Sequence, residues 1–193
     1  SMANTGQDVY RTFAPVSSGS VYLSFLMNVS AALTGDYFIA VSPSASQTNY
    51  YARLHIKSSG SGYNIGISKS NEVSGGAQYG TTVYNLNTSY FVALKYTFTG
   101  TAADSTNDPI SIYVVPSGSS LAAEPATPEV NAYVFAGKTD ATDLGSVTLR
   151  QGTNTSAPTM VIDAIRVGNS WASAVSAATG IKNTASVPLI ASL

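Results

Sequence analysis

The sequence predicts an all-β domain, two antiparallel sheets packed face to face as a jelly-roll sandwich. Three observations carry that prediction. Apolar and polar residues alternate with period two through one run after another. Clusters of Gly, Ser, Asn and Pro separate the runs at intervals of about ten residues. Helical signals are confined to one short stretch near the end. About ten such strands cannot share one flat sheet without exposing an apolar face, and a second sheet buries it. A closed barrel is the competing architecture; uneven loops and long strands favour the jelly roll.

The elements follow in order. Val21, Leu23, Phe25, Met27 and Val29 line one face of a strand, with Tyr22, Ser24 and Asn28 opposite. After a turn at residues 33–36 comes a strand at 37–41. Residues 50–57 put Ala52, Leu54 and Ile56 on one side and Tyr51, Arg53, His55 and Lys57 on the other. A Gly/Ser break at 58–62 then makes a hairpin with 63–67. The clearest strand spans 90–98, with Tyr90, Val92, Leu94, Tyr96 and Phe98 inward. Ile110, Ile112 and Val114 mark the next, closed by Pro116, and runs at 132–136, 147–150 and 160–167 complete the set. Ser170 is placed to cap a helix over 170–178, with Gly180 as its stop. Residues 1–8, opening Ser1-Met2, read as a tag remnant and linker, and 9–180 as one domain. Residues 181–193 read as a linker or edge strand leading to a further domain.

Composition narrows the function. The chain has 193 residues, nine Lys and Arg against ten Asp and Glu, a net charge of −1, and no cysteine. Zero cysteines exclude a disulfide scaffold, a thiolate zinc site and a cysteine nucleophile. The charge balance leaves no electrostatic footprint for nucleic acid or an anionic membrane. No run approaches the roughly 18 apolar residues of a membrane span, and the opening residues do not read as a signal peptide. Only 10% of residues are charged, whereas 28 are Ser and 20 Thr. A surface wetted by hydroxyls and amides suits a secreted or cell-surface bacterial module, expected here as a monomer.

Gly35-Asp36-Tyr37-Phe38, the runs 51–57 and 63–69, Leu94-Lys95-Tyr96-Thr97-Phe98, Leu149-Arg150-Gln151-Gly152, and 161–167 followed by Ser170-Trp171 stand in consistent order along the chain. Together they resemble the concanavalin A-like (LamG-like) jelly-roll modules of secreted or surface multidomain proteins of Bacteroidetes-type bacteria. The resemblance implies glycan binding, adhesion, or spacing between other domains. It also implies a structural Ca²⁺ near the Asp of the final strand, here Asp163.

The strand face of Tyr51, Arg53, His55 and Lys57 is the leading candidate for ligand binding, with Asn64 and Trp171 as further candidates and Tyr22, Lys95 or Tyr113 as neighbours. Rings suit the C–H faces of sugars, amide and guanidinium donors suit their hydroxyls, and the cations favour acidic sugars. The bland alternative is a solvated face covered by long side chains. Trp171 is either a stacking platform or a plug sealing the sandwich. Asp104, Asn107 and Asp108 in one loop, Asp140 and Asp143 in another, and Asp163 in an apolar strand are the candidate oxygen donors for Ca²⁺. The loop clusters read more often as turns than as sites. Asp163 needs a partner, whether an ion, Arg166 or backbone donors.

Catalysis has weaker support. Arg53-Leu54-His55 partly echoes the strands of jelly-roll polysaccharide lyases, whose paired Gln-x-His pattern is missing. Glu72, Glu124 and Glu129 are the only glutamates and all fall in expected loops, a poor basis for the two facing carboxylates of a glycosidase. The expected function is therefore a non-catalytic glycan-binding or adhesion module, with a structural spacer as the alternative and a lyase as a more distant one.

Overall fold

The computed structural model describes residues 7–69, 76–100 and 106–176. Two antiparallel sheets form the sandwich. The first contains seven strands: β1 (Val9–Val16), β3 (Asp36–Ser42), β4 (Tyr51–Ser59), β5 (Gly62–Ser68), β6 (Gln78–Tyr79), β7 (Tyr84–Asn85) and β11 (Leu144–Leu149). Its order is β1-β11-β3-β4-β5-β6, with β7 also paired to β5. The second contains five: β2 (Gly19–Ala31), β8 (Ser89–Phe98), β9 (Ile110–Pro116), β10 (Val130–Tyr133) and β12 (Thr159–Gly168). Its order is β10-β9-β8-β2-β12. A short helix, α1 (Trp171–Val175), follows β12.

The alternating residues meet between the sheets. Val21, Leu23, Phe25, Met27 and Val29 of β2 face Leu54, Ile56, Ile65 and Ile67 across the core, all at most 1% exposed. Burial of each such side chain stabilises the fold by about 2–3 kcal/mol relative to exposure. The β4–β5 hairpin pairs Ser59 with Gly62, so Gly60 and Ser61 make a two-residue turn, and Gly60 takes φ 56°, the region glycine enters without strain.

Three alanines, Ala52, Ala132 and Ala164, hold positive φ inside strands whose registers shift around them. The bulge at Ala52 corrects the expected phase of β4. Against β3, Tyr51 pairs with Val41 and Leu54 with Ile39, so β4 carries one extra residue. Tyr51 and Ala52 both pack on the core, and Tyr51 leaves the face that carries Arg53, His55 and Lys57.

The five-stranded sheet carries a second, smaller apolar cluster on its outer face. Tyr22, Phe91, Ala93, Tyr113 and Val115 are covered there by Trp171 and Ala174 of α1. Ser170 caps α1 in a reciprocal capping box with Ser173. The helix is shorter than expected, ending at Val175 with Ser176 as its C-cap. Residues 177–178 of the expected helix and the 181–193 segment lie outside the described residues. Residues 9–16 form an unexpected edge strand, β1, paired to β11.

Candidate functional site

The outer face of the seven-stranded sheet gathers rings and cations from three strands, β3, β4 and β6, and from the segments just before β4 and just after β11. Tyr37 of β3 stands beside His55 of β4, its register partner, because a compensating shift at Phe38 turns Phe38 and Ile39 both into the core. Tyr50, immediately before β4, is brought to the same face. Tyr79 of β6 completes a row. Its ring lies over Gly66, where a Cβ would stand 2.6 Å from the ring, so a side chain at 66 would displace it. Successive ring centroids along Tyr50, Tyr37, His55 and Tyr79 are 5.7, 5.6 and 6.3 Å apart.

Cations lie over this row. The guanidinium carbons of Arg53 and Arg150 stand 4.8 and 4.2 Å from the Tyr37 centroid, and Lys57 Nζ stands 4.0 Å from that of Tyr79. Arg150 follows β11 and is held by Asp36 at 2.8 Å, while Asp36 also accepts from the Tyr37 amide at 2.8 Å. Asp8 approaches the Tyr37–Tyr50 end and accepts from the Gln151 amide at 2.8 Å. Three cations, Arg53, Lys57 and Arg150, thus face two carboxylates, Asp36 and Asp8. The patch is positive on a chain of net charge −1.

Burial pulls the His55 imidazole from 6.5 down to about 4; Asp36 opposes this, and Arg53 and Arg150 reinforce it. His55 is therefore neutral at neutral pH, with Nε2 bonded to Ser68 Oγ at 2.8 Å. Burial likewise raises the phenols of Tyr37 and Tyr50, and pushes Tyr79 up to about 12. The face presents fixed cations over protonated phenols and a neutral imidazole.

The other expected ligand residues are elsewhere. Asn64 is buried and donates to Thr82 O at 2.8 Å, pinning the 80–83 segment beside β5. Trp171 lies on the opposite sheet, 7% exposed, donating from Nε1 to Leu121 O at 2.8 Å. Tyr22, Lys95 and Tyr113 share that far side. They converge on Glu124, which receives Tyr22 Oη at 2.6 Å, Lys95 Nζ at 3.0 Å and the Tyr113 hydroxyl. Burial works to raise the Glu124 carboxyl, but these three donors hold it below its ordinary value. Glu129 is similarly occupied by Tyr84 Oη at 2.8 Å and the Thr82 amide at 3.0 Å. Both glutamates anchor loops.

The expected oxygen donors for calcium are differently placed. Asp104 lies outside the described residues. Asp108 is buried, with Oδ2 accepting from Tyr96 Oη at 2.9 Å and Oδ1 from the Thr99 amide at 2.7 Å. Asn107 Oδ1 accepts from Thr99 Oγ1 at 2.7 Å. The two acidic loops that seemed separate in the sequence meet here: Asp140 accepts the amides of Asn107 and Asp108, each at 3.0 Å, and pairs with the buried Lys69. Lys69 supplies the positive charge at this point. Asp163 is exposed, not enclosed in apolar company, because β12 is an edge strand; its Oδ1 accepts the amide of Ala164 at the bulge. Among the described residues, no three His, Cys, Asp or Glu side chains group as metal ligands.

The architecture defines the chain as a jelly-roll sandwich of the concanavalin-like kind. No family model matches the sequence, and no curated protein matches it either. Solved structures do. Alginate lyase Aly36B is similar with a TM-score of 0.56 and 9% identity, over 86% of this chain and 78% of the lyase. A mutant of that lyase in complex with alginate tetrasaccharide gives 0.52 and 11%, over 86% and 77%. The native heptameric SAP-like pentraxin of Limulus polyphemus gives 0.54 and 10%, over 88% and 74%. At such identities these likenesses show the fold.

Proposed function

We propose that the chain is a non-catalytic glycan-binding module of a secreted or surface bacterial protein, taking an acidic polysaccharide along the outer face of its seven-stranded sheet. The observation that carries this reading is the row Tyr50–Tyr37–His55–Tyr79 with Arg53, Arg150 and Lys57 over it. Rings alone would offer flat apolar faces to any sugar. Here cations cover those faces, so an approaching polymer meets guanidinium and ammonium groups first, and its carboxylates or sulfates are attracted to them. Aromatic packing fixes the cations in place, which lowers the ordering cost of binding.

The same electrostatics argue against a lyase at this face. A tyrosine that takes up a proton as base near neutral pH needs a lowered phenol pKa, whereas burial raises all three tyrosines of the row. His55 Nε2 is already engaged with Ser68.

Native gels containing alginate, with a neutral glucan as control, test the proposal. Retardation is expected in alginate alone, weakening with salt. Arg53→Ala should bind about tenfold more weakly, the loss of one charge-assisted contact. Absence of retardation by acidic polymers would favour a spacer. Unsaturated uronate accumulating in ultraviolet absorbance would replace the binding reading by the lyase.

A further inference from the structure

We propose that Lys69 and Asp140 become joined by an intramolecular amide bond that the folded chain forms itself, with loss of one water. The proposal is independent of glycan binding and rests on the polar cluster at one end of the sandwich. Lys69 directly follows β5, yet its side chain is 0% exposed, and that of Asp140 is 7% exposed. Lys69 Nζ is in direct contact with Asp140 Oδ1 and also donates to Asp108 O at 3.3 Å. The surroundings are aromatic: the Tyr96 centroid lies 5.8 Å from Nζ, and Phe98 packs on Tyr96 at 5.0 Å.

Amine and carboxyl groups rarely condense in water, because solvent competes with both. Burial removes that competitor, and a fixed contact between reacting groups is worth effective molarities of about 10⁵–10⁸ M. Lys69 places a primary amine, the usual nitrogen nucleophile of proteins, against the carboxyl carbon's own oxygen. Two backbone N–H groups complete the arrangement. Asn107 N donates to Asp140 Oδ2 and Asp108 N to Oδ1, each at 3.0 Å, so both oxygens face donors able to hold an oxyanion.

The step balances without an oxidant or co-reactant. One proton passes from the Lys69 ammonium to the Asp140 carboxylate. The Nζ electron pair then forms the bond to Cγ, and the carbonyl pair moves onto the oxygen held by a backbone N–H. The second Nζ proton passes to the protonated oxygen, the oxyanion's pair returns to re-form the carbonyl, the C–O bond breaks, and water leaves. Ammonium and carboxylate enter; amide and water result. Asp108 is a positioning residue. Its amide and carbonyl touch both partners, and its carboxylate holds Tyr96 Oη, which accepts the Ala141 amide at 2.9 Å beside Asp140.

Such a bond would tie the end of β5 to the segment before β11, 71 residues apart in sequence, in a chain with no cysteine for a disulfide. Intact-mass spectrometry of the full chain under denaturing conditions is the test, followed by tryptic mapping. The expected wild-type mass is one water below the sequence mass, with a branched peptide joining residues 69 and 140 and no cleavage after Lys69. Lys69→Arg keeps the charge without the amine and should show its full sequence mass. Asp108→Ala should convert more slowly or not at all while keeping both reacting groups. A full wild-type mass with separate linear peptides would reduce the pair to an ordinary buried salt bridge and overturn the proposal. So would a water loss confined to one linear peptide, as in a cyclic imide at Asp140.

Discussion

Replacing Trp171 by alanine should unfold the protein more readily and leave polysaccharide binding intact. The ring is 7% exposed, packs edge-on to Phe91 at 5.9 Å and Tyr113 at 5.6 Å, and donates to Leu121 O. A Trp→Ala change in a packed cluster costs about 3–5 kcal/mol. The two edge contacts account for about 0.5–1.5 kcal/mol each and the hydrogen bond for about 1 kcal/mol; lost burial supplies the rest. A helix of five residues cannot persist without its tertiary anchor, so α1 should detach as well. For a domain of this size the loss corresponds to a Tm drop of roughly 6–20 °C. Thermal unfolding by circular dichroism measures it, and alginate gels at a temperature where the variant is folded measure binding. A variant that melts like the wild type but no longer slows in alginate would refute this reasoning and restore Trp171 as a sugar platform.

His55 should make stability depend on pH. Its folded pKa, about 4, lies below the unfolded 6.5, so the unfolded chain takes up the proton first. The contribution is complete above pH 6.5 and falls away as pH drops toward 4, by up to about 3 kcal/mol. Urea titrations across that window should show a steeper decline for the wild type than for His55→Gln; equal slopes would remove His55 as the cause. Gly66→Val places a Cβ 2.6 Å from the Tyr79 ring and 2.8 Å from Gln78 O. It should cost about 1–3 kcal/mol and weaken retention in alginate by displacing Tyr79 and Lys57; unchanged melting and retention would show that β6 gives way freely.

Inward faces were readable wherever large apolar residues recur with period two, even in strands whose other face is covered as well. β2, β5 and β8 kept their expected faces, and Ser170 announced the helix start. β1 escaped because Val9, Tyr10, Arg11 and Thr12 are all exposed on an edge strand and Pro15 interrupts its end, so no alternation marks it. The bulge at Ala52 escaped for a different reason. One extra residue inverts the phase of a strand, and an alanine at positive φ looks like any alanine in sequence. Alternation therefore selected Tyr51, whereas the fold selects Tyr50. Tyr37, Tyr79 and Arg150 joined Arg53 through strand order, which no local pattern encodes. The meeting of Asp108 and Asp140 around Lys69 depends on contacts 39 and 71 residues apart, and spacing within either loop could not reveal it.

The covering of the five-stranded sheet by α1 and the Glu124 loop bears on valency. With part of that sheet's outer face taken up by Trp171 and the Tyr22–Lys95–Tyr113 anchor, the proposed polymer contact of each copy is the single ring-and-cation row of the other sheet. A copy that holds polymer through this one face should bind without agglutinating. Bridging would begin only where copies are displayed together, and retention would then rise with their number and spacing faster than with any change in the affinity of one face.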